Sequence, residues 1–159
     1  MASITAQPPL TTNLGWMLAQ ASHVLNTELH AAFADLGFAP RGYCVLASAI
    51  DGEYTQKELA DLIGLDKTTM VVTLDALEQA GLAERKPSPK YRRARIIGVT
   101  EAGRQALEQG EVAQREVQDA VLAALPEEDR EVFMDTLSRL VCDRLSTPAA
   151  CDRAPRRRN

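Results

Sequence analysis

A chain of 159 residues is the size of one ordinary domain, or of one domain with extensions. At 45% hydrophobic residues it can bury a core, and no apolar run approaches the roughly 18 residues of a membrane span, so a soluble protein is expected. The opening MASITAQPPLTT has no basic start followed by an apolar block, which argues against a secretory signal.

Cys44, Cys142 and Cys151 are odd in number and lie in no metal-like spacing. They predict neither a disulfide scaffold nor a zinc site, and favour a reducing cytoplasm. The net charge of −4 hides an asymmetry. Residues 82–95 carry Arg85, Lys86, Lys90, Arg92, Arg93 and Arg95 against Glu84 alone, a local net of +5. Residues 148–159 carry Arg153, Arg156, Arg157 and Arg158 against Asp152, a net of +3, so the other 133 residues hold −12. A basic patch on an acidic body predicts one surface built for a polyanion, with Arg85, Lys90, Arg92, Arg93 and Arg95 as its cations.

The first helical pattern runs from about Thr12 to Leu36. Leu14, Met17, Leu18, Ala21, Leu25, Leu29, Ala32, Phe33 and Leu36 recur three or four apart along it. Thr12 or Asn13 caps its start and Gly37 stops it. Long apolar helices of this kind pair with another copy. A second helix follows from Pro40 to Ile50. Cys44 falls in it among residues expected to be buried, and reads as a small core side chain. Thr55 and Glu58 form a capping box for a short helix, Gln56 to Ile63, stopped by Gly64. Asp66 caps the next helix, which buries Met70, Leu74 and Leu77 and ends at Ala80-Gly81.

Two short helices joined by a tight glycine turn form a helix-turn-helix pattern. Leu82 to Lys86 reads as a strand, Pro87 to Lys90 as a turn, and Arg95 to Val99 as the returning strand. This adds a wing. Thr100 caps another helix to about Leu125, with Gly110 as a weak spot. Pro126 opens a last helix, with Val132, Phe133, Leu137, Leu140, Val141 and Leu145 expected to be buried. The predicted fold is mainly α: a winged helix-turn-helix with long N- and C-terminal dimerisation helices. Its divisions are a flexible arm at 1–11, dimerisation helices at 12–36 and 100–146, a winged DNA-binding domain at 37–99, and a disordered basic tail at 147–159.

The sequence lacks a phosphate-binding glycine loop, a dinucleotide fingerprint, HExxH and GxSxG, so neither catalysis nor a cofactor is expected. His23 and His30 lie two helical turns apart, too far to share one metal ion.

The stretch from Gln56 to Arg104 resembles the MarR family of bacterial transcription regulators. The matching motifs are Leu59-Ala60, Asp66-Lys67-Thr68-Thr69, Leu77-Glu78-Gln79-Ala80-Gly81-Leu82, Arg92-Arg93 and Val99-Thr100-Glu101-Ala102-Gly103. The resemblance implies a homodimeric repressor of the bacterial cytoplasm and nucleoid. Such a repressor binds a pseudo-palindromic DNA duplex and is released by a small aromatic or anionic effector. It places Thr55, Gln56 and Lys57 near phosphates, and Asp66, Lys67, Thr68, Thr69, Val72 and Thr73 on the recognition helix. It places Arg93 at the wing tip, in the minor groove. Two positions depart from the family: Val72 replaces a frequent arginine, and Tyr91 replaces the aspartate that usually orients the wing arginine. Candidate effector-lining residues are Trp16, His23, Arg41, Tyr43 and Cys44. The alternative is a winged protein-interaction module, such as an anti-repressor, that never touches DNA.

Overall fold

The computed structural model of the chain describes residues 10–90 and 94–147. Among the described residues six helices and one hairpin follow in order: α1 (Leu14–Ala32), α2 (Pro40–Ala49), α3 (Gln56–Ile63), α4 (Lys67–Gln79), β1 (Ala83–Pro87), β2 (Arg95–Val99), α5 (Glu101–Ala123) and α6 (Glu127–Cys142). By its contacts the chain divides within α5 into units Met1–Gln118 and Asp119–Asn159. The predicted arm lies mostly outside the described residues, as do Tyr91, Arg92, Arg93, Cys151 and nearly all of the predicted tail.

In the first unit, α2, α3 and α4 close on one another and on the hairpin. Leu46, Leu59, Met70, Leu74, Leu77 and Ile97 are fully buried there. Each such side chain stabilises the fold by roughly 1.5–3 kcal/mol. Gly64, in the left-handed region at φ +69°, turns the chain from α3 towards α4. Strands β1 and β2 pair antiparallel, with Ala83 opposite Val99 and Pro87 opposite Arg95. A further bridge joins Thr55 to Ile96, and the Ile97 N–H donates to the Tyr54 carbonyl at 2.9 Å.

Several expectations are corrected. Helix α1 ends at Ala32, not Leu36, and Phe33 to Gly37 unwinds into turns. Phe33 is drawn into the core edge, in T-shaped contact with Phe38 and Tyr43, and that contact needs the chain to leave the helix before Phe38. Gly110 is not a weak spot but a packing notch. A Cβ there would meet the Tyr43 ring at 2.7 Å and Phe33 at 3.3 Å. Cys44 is exposed instead of buried, because the α2 core stripe falls on Val45, Leu46 and Ala49.

Along α1 only Leu29 is buried, and Leu14, Met17, Leu18 and Leu25 are exposed. In the second unit α6 buries nothing. Val132, Phe133, Leu140, Val141 and Leu145 are exposed, against the expectation that they are buried, and Leu137 is half-buried. These periodic stripes are exposed among the described residues.

The Thr100-to-Gly103 motif acquires a structural reason. The Thr100 hydroxyl donates to the Gly81 carbonyl at 2.7 Å and accepts from the Gly103 N–H at 3.0 Å. The Leu82 carbonyl accepts from the Thr100 N–H at 3.1 Å. A Cβ on Gly103 would fall 2.1 Å from that carbonyl oxygen. Gly103→Ala therefore forces backbone apart where β1 meets α5. We expect a loss of about 1–3 kcal/mol, exceeding the gain of about 1 kcal/mol in helix propensity, as measured by urea unfolding.

Candidate nucleic-acid interface

The start of α4 is held by Asp66, whose Oδ1 accepts the Thr69 N–H at 3.0 Å and whose Oδ2 accepts the Thr69 hydroxyl at 2.5 Å. These hydrogen bonds from Thr69 hold the Asp66 carboxyl below its ordinary pKa. At α3, Thr55 and Glu58 form the expected capping box: Glu58 accepts the Thr55 N–H at 2.7 Å and its hydroxyl at 2.8 Å. The Thr55 N–H and hydroxyl likewise hold the Glu58 carboxyl low. A depressed carboxylate stabilises the fold above its unfolded pKa and loses that effect as pH falls through its folded value. Both caps are therefore intact at neutral pH and weaken only in acid.

With Met70, Leu74 and Leu77 buried, the helical period turns Thr68, Val72 and Asp75 outward. Val72 is 64% exposed, and Lys67 and Thr68 are exposed beside it. Thr69 and Thr73 are less available than the sequence implied. The Thr73 hydroxyl donates to the Thr69 carbonyl at 2.8 Å, and the Thr69 hydroxyl is engaged by Asp66. On α3, Lys57 is exposed, while Gln56 turns towards Arg85 at 3.4 Å.

The hairpin sorts its charges by strand parity. Arg85 lies opposite buried Ile97 on the inner face. Its Nη2 donates to Asp75 Oδ1 at 2.9 Å, its Nη1 to Glu78 Oε2, and its backbone N–H to Glu78 Oε1 at 2.9 Å. Lys86, on the other face, pairs with Glu84 at 2.8 Å. The polyanion-facing role expected of Arg85 is thus set against two carboxylates that already hold its guanidinium. The hairpin stem offers little net positive charge. The remaining cations of the patch fall at Lys90, Arg92, Arg93 and Arg95. Arg95 is exposed, whereas Arg92 and Arg93 lie outside the described residues.

Two open cavities adjoin this surface. One, of about 210 Å³, is lined by residues that include His30, Phe38, Arg41, Val72 and Thr73. The other, of about 230 Å³, is lined by His30, Arg41, Cys44, Ile63 and Gln114 among others. Of the expected effector residues, Arg41 and Cys44 line a cavity, and Trp16, His23 and Tyr43 line neither. Tyr43 packs instead on Phe33 and into the Gly110 notch. Although the Cys44 side chain reaches solvent, the protein around its thiol partly desolvates it and pushes its pKa up, so it is a poor thiolate at neutral pH. His30 was missed as a lining residue. Its place depends on where α1 ends, and no motif marks that point.

A family model described as MarR family matches residues 43–94, which span α2 to the start of the returning strand. The transcriptional repressor CouR of Rhodococcus jostii RHA1, solved on a 23-mer DNA duplex, superposes with a TM-score of 0.78 at 26% identity, covering 87% of this chain and 99% of CouR. Over residues 43–94, about a third of its length, the chain is similar to the MarR family. The MarR family protein Rv2887 of Mycobacterium tuberculosis, solved in complex with salicylic acid, is 27% identical with a TM-score of 0.68, covering 81% of this chain and 96% of that one. The uncharacterized HTH-type transcriptional regulator YdgJ of Bacillus subtilis (strain 168) is 25% identical over 88 residues. The chain spans about half the length of this curated relative, 54%, and the match takes in 55% of the chain itself. The family-model match takes in α3, α4 and β1 and ends just before β2.

Removing the α3 cap tests the local architecture. Thr55→Ala deletes one acceptor and one partner of Glu58, and should cost roughly 1 kcal/mol of stability by urea unfolding. Thr55→Ser, which keeps the hydroxyl, should recover most of it.

Proposed function

We propose that the chain is a ligand-responsive, DNA-binding transcriptional repressor of the bacterial cytoplasm. It acts as a homodimer on a pseudo-palindromic duplex and has no catalytic activity. The observation that carries this reading is the face of α4: its inner stripe is locked in the core, while Lys67, Thr68 and Val72 are presented outward next to the base of a basic wing. The likeness to a repressor solved on DNA, over nearly its whole length, supports it. Lys57, Lys67, Thr68, Val72, Lys90, Arg92, Arg93 and Arg95 form the proposed contact set. Thr55, Gln56, Asp66, Thr69 and Thr73 shape the surface through the bonds already described.

The uncovered stripes support the dimer. Leu14, Met17, Leu18 and Leu25 on α1, and Phe133, Leu140 and Val141 on α6, are apolar at helical spacing and exposed in one chain. A second copy buries them and sets two recognition helices about 34 Å apart, one turn of DNA. The cavities support the effector. Arg41 and His30 supply cationic and hydrogen-bonding groups beside apolar walls. At about 210 and 230 Å³ each cavity is smaller than the roughly 300 Å³ typical of drug-sized ligands. That size favours a small single-ring acid. Because Val72 and Thr73 belong both to the cavity wall and to the recognition helix, an occupant of the first cavity acts directly on the reading surface.

Light scattering on the full chain should give a dimer at micromolar concentration. Leu18→Glu should shift it to monomer and abolish retention of a duplex selected by the wild-type chain from a random-sequence pool. A monomeric wild type that still binds this duplex would overturn the dimer. In the same duplex, replacing thymines with uracil removes methyl groups that Val72 is placed to touch. One such site per half-site should cost on the order of 1 kcal/mol. If no uracil substitution changes affinity, Val72 is not reading a methyl.

A further inference from the structure

Arg85 joins three elements at one point: its own strand β1, Asp75 and Glu78 on α4, and Gln56 at the start of α3. Its side chain is only 22% exposed. A planar guanidinium engages two carboxylates at once, which a lysine ammonium does not do with the same geometry. The local charge is one cation against two carboxylates, so the cluster repels a phosphate instead of attracting one. The other strand is tied separately, through the Ile97–Tyr54 hydrogen bond and the Thr55–Ile96 bridge to the α3 cap. Without Arg85, β1 keeps its pairing with β2 but loses its side-chain tie to α4. The angle of the hairpin to α4 then rests on the β2 ties, on the core packing of Ile97 and on the backbone at Gly81 and Leu82, where the Leu82 N–H donates to the Leu77 carbonyl at 2.9 Å.

The geometry points to Arg85 as a positioning residue. Acting through Glu78 and Asp75, it fixes the wing at one angle to the recognition helix, so that wing tip and α4 meet neighbouring grooves together. This inference rests on the DNA-binding reading above. It assigns the most buried of the described cations of the basic patch to geometry and leaves the attraction of DNA to the others.

A double-mutant cycle on the full-length dimer tests it. Combining Glu78→Gln with Arg85→Gln removes the clamp without changing net charge, so long-range attraction to DNA is preserved. Affinity for the selected duplex, read by fluorescence anisotropy, should fall about tenfold, the scale of coupled contacts. In the wild-type background Arg93→Ala should weaken binding and flatten its salt dependence by about one unit per contact. In the clamp-free background most of the Arg93→Ala effect should vanish, because the wing no longer delivers that side chain to its groove.

A simple loss of stability does not couple the two sites, and thermal melts followed by circular dichroism verify that each variant is folded at the assay temperature. Should the clamp-free variant fail to fold, Arg85→Lys keeps the charge and one carboxylate contact, and the same shrinkage of the Arg93→Ala effect should appear in part. Full additivity of the two changes, or an unaltered affinity in the clamp-free variant, would overturn the inference. An Arg93→Ala change without effect in the wild-type background would instead remove the wing from the DNA reading, and the inference with it.

Discussion

Everything the protein presents to a partner is set by the burial of Met70, Leu74 and Leu77 in one face of α4. The helical repeat allows no freedom once those three are fixed: Thr68, Val72 and Asp75 must point away from the core. The Asp66 cap fixes where the helix begins, so it fixes which residues occupy its exposed first turn. A hydrophobic contact on one side of a helix thereby selects the chemistry on the other. Here that chemistry is partly apolar, since Val72 is a branched hydrocarbon and lies exposed. Of the threonines nearby, Thr69 and Thr73 direct their hydroxyls back into the fold.

The elements of the winged domain were legible because each is marked locally. Thr55 with Glu58, Gly64, Asp66 and Gly81 are signals that act within three or four residues, and the backbone follows them. The end of α1 was not legible. Its apolar repeat continues to Leu36, but Phe33 gains more by stacking on Phe38 and Tyr43 than by continuing the helix. That choice depends on the Gly110 notch, 77 residues along the chain. Gly110 looks like a flaw when read within its own helix and becomes a fit only when the ring opposite is known. Cys44 was misplaced for a related reason, because one residue of helical phase separates the α2 core stripe from its surface.

The charges show the same division between count and placement. Six cations between residues 82 and 95 imply a strongly positive wing. Strand alternation was available in the sequence and sorts them: with Ala83 inside, Arg85 is inside and Glu84 and Lys86 are outside. What alternation could not supply was Asp75 and Glu78 waiting on α4 to receive Arg85. The stem of the hairpin is consequently a structural joint, and among the described residues exposed Arg95 lies at its far end, opposite Pro87.

The two cavities bring this arrangement back to α4. His30 and Arg41 line both, so one pair of polar side chains lies between the end of α1 and the recognition helix. The first cavity shares Val72 and Thr73 with the proposed reading surface. On the proposed function, a ligand there would compete with a base edge for the same side-chain surface, with no need of a long-range conformational wire. A ligand can shift an equilibrium only by its difference in affinity for the two states. Steric exclusion at Val72 would supply that difference from local contacts alone. The apolar surface of α4 would then serve both proposed roles: residues suited to contact thymine methyls are equally suited to wall an aromatic ring.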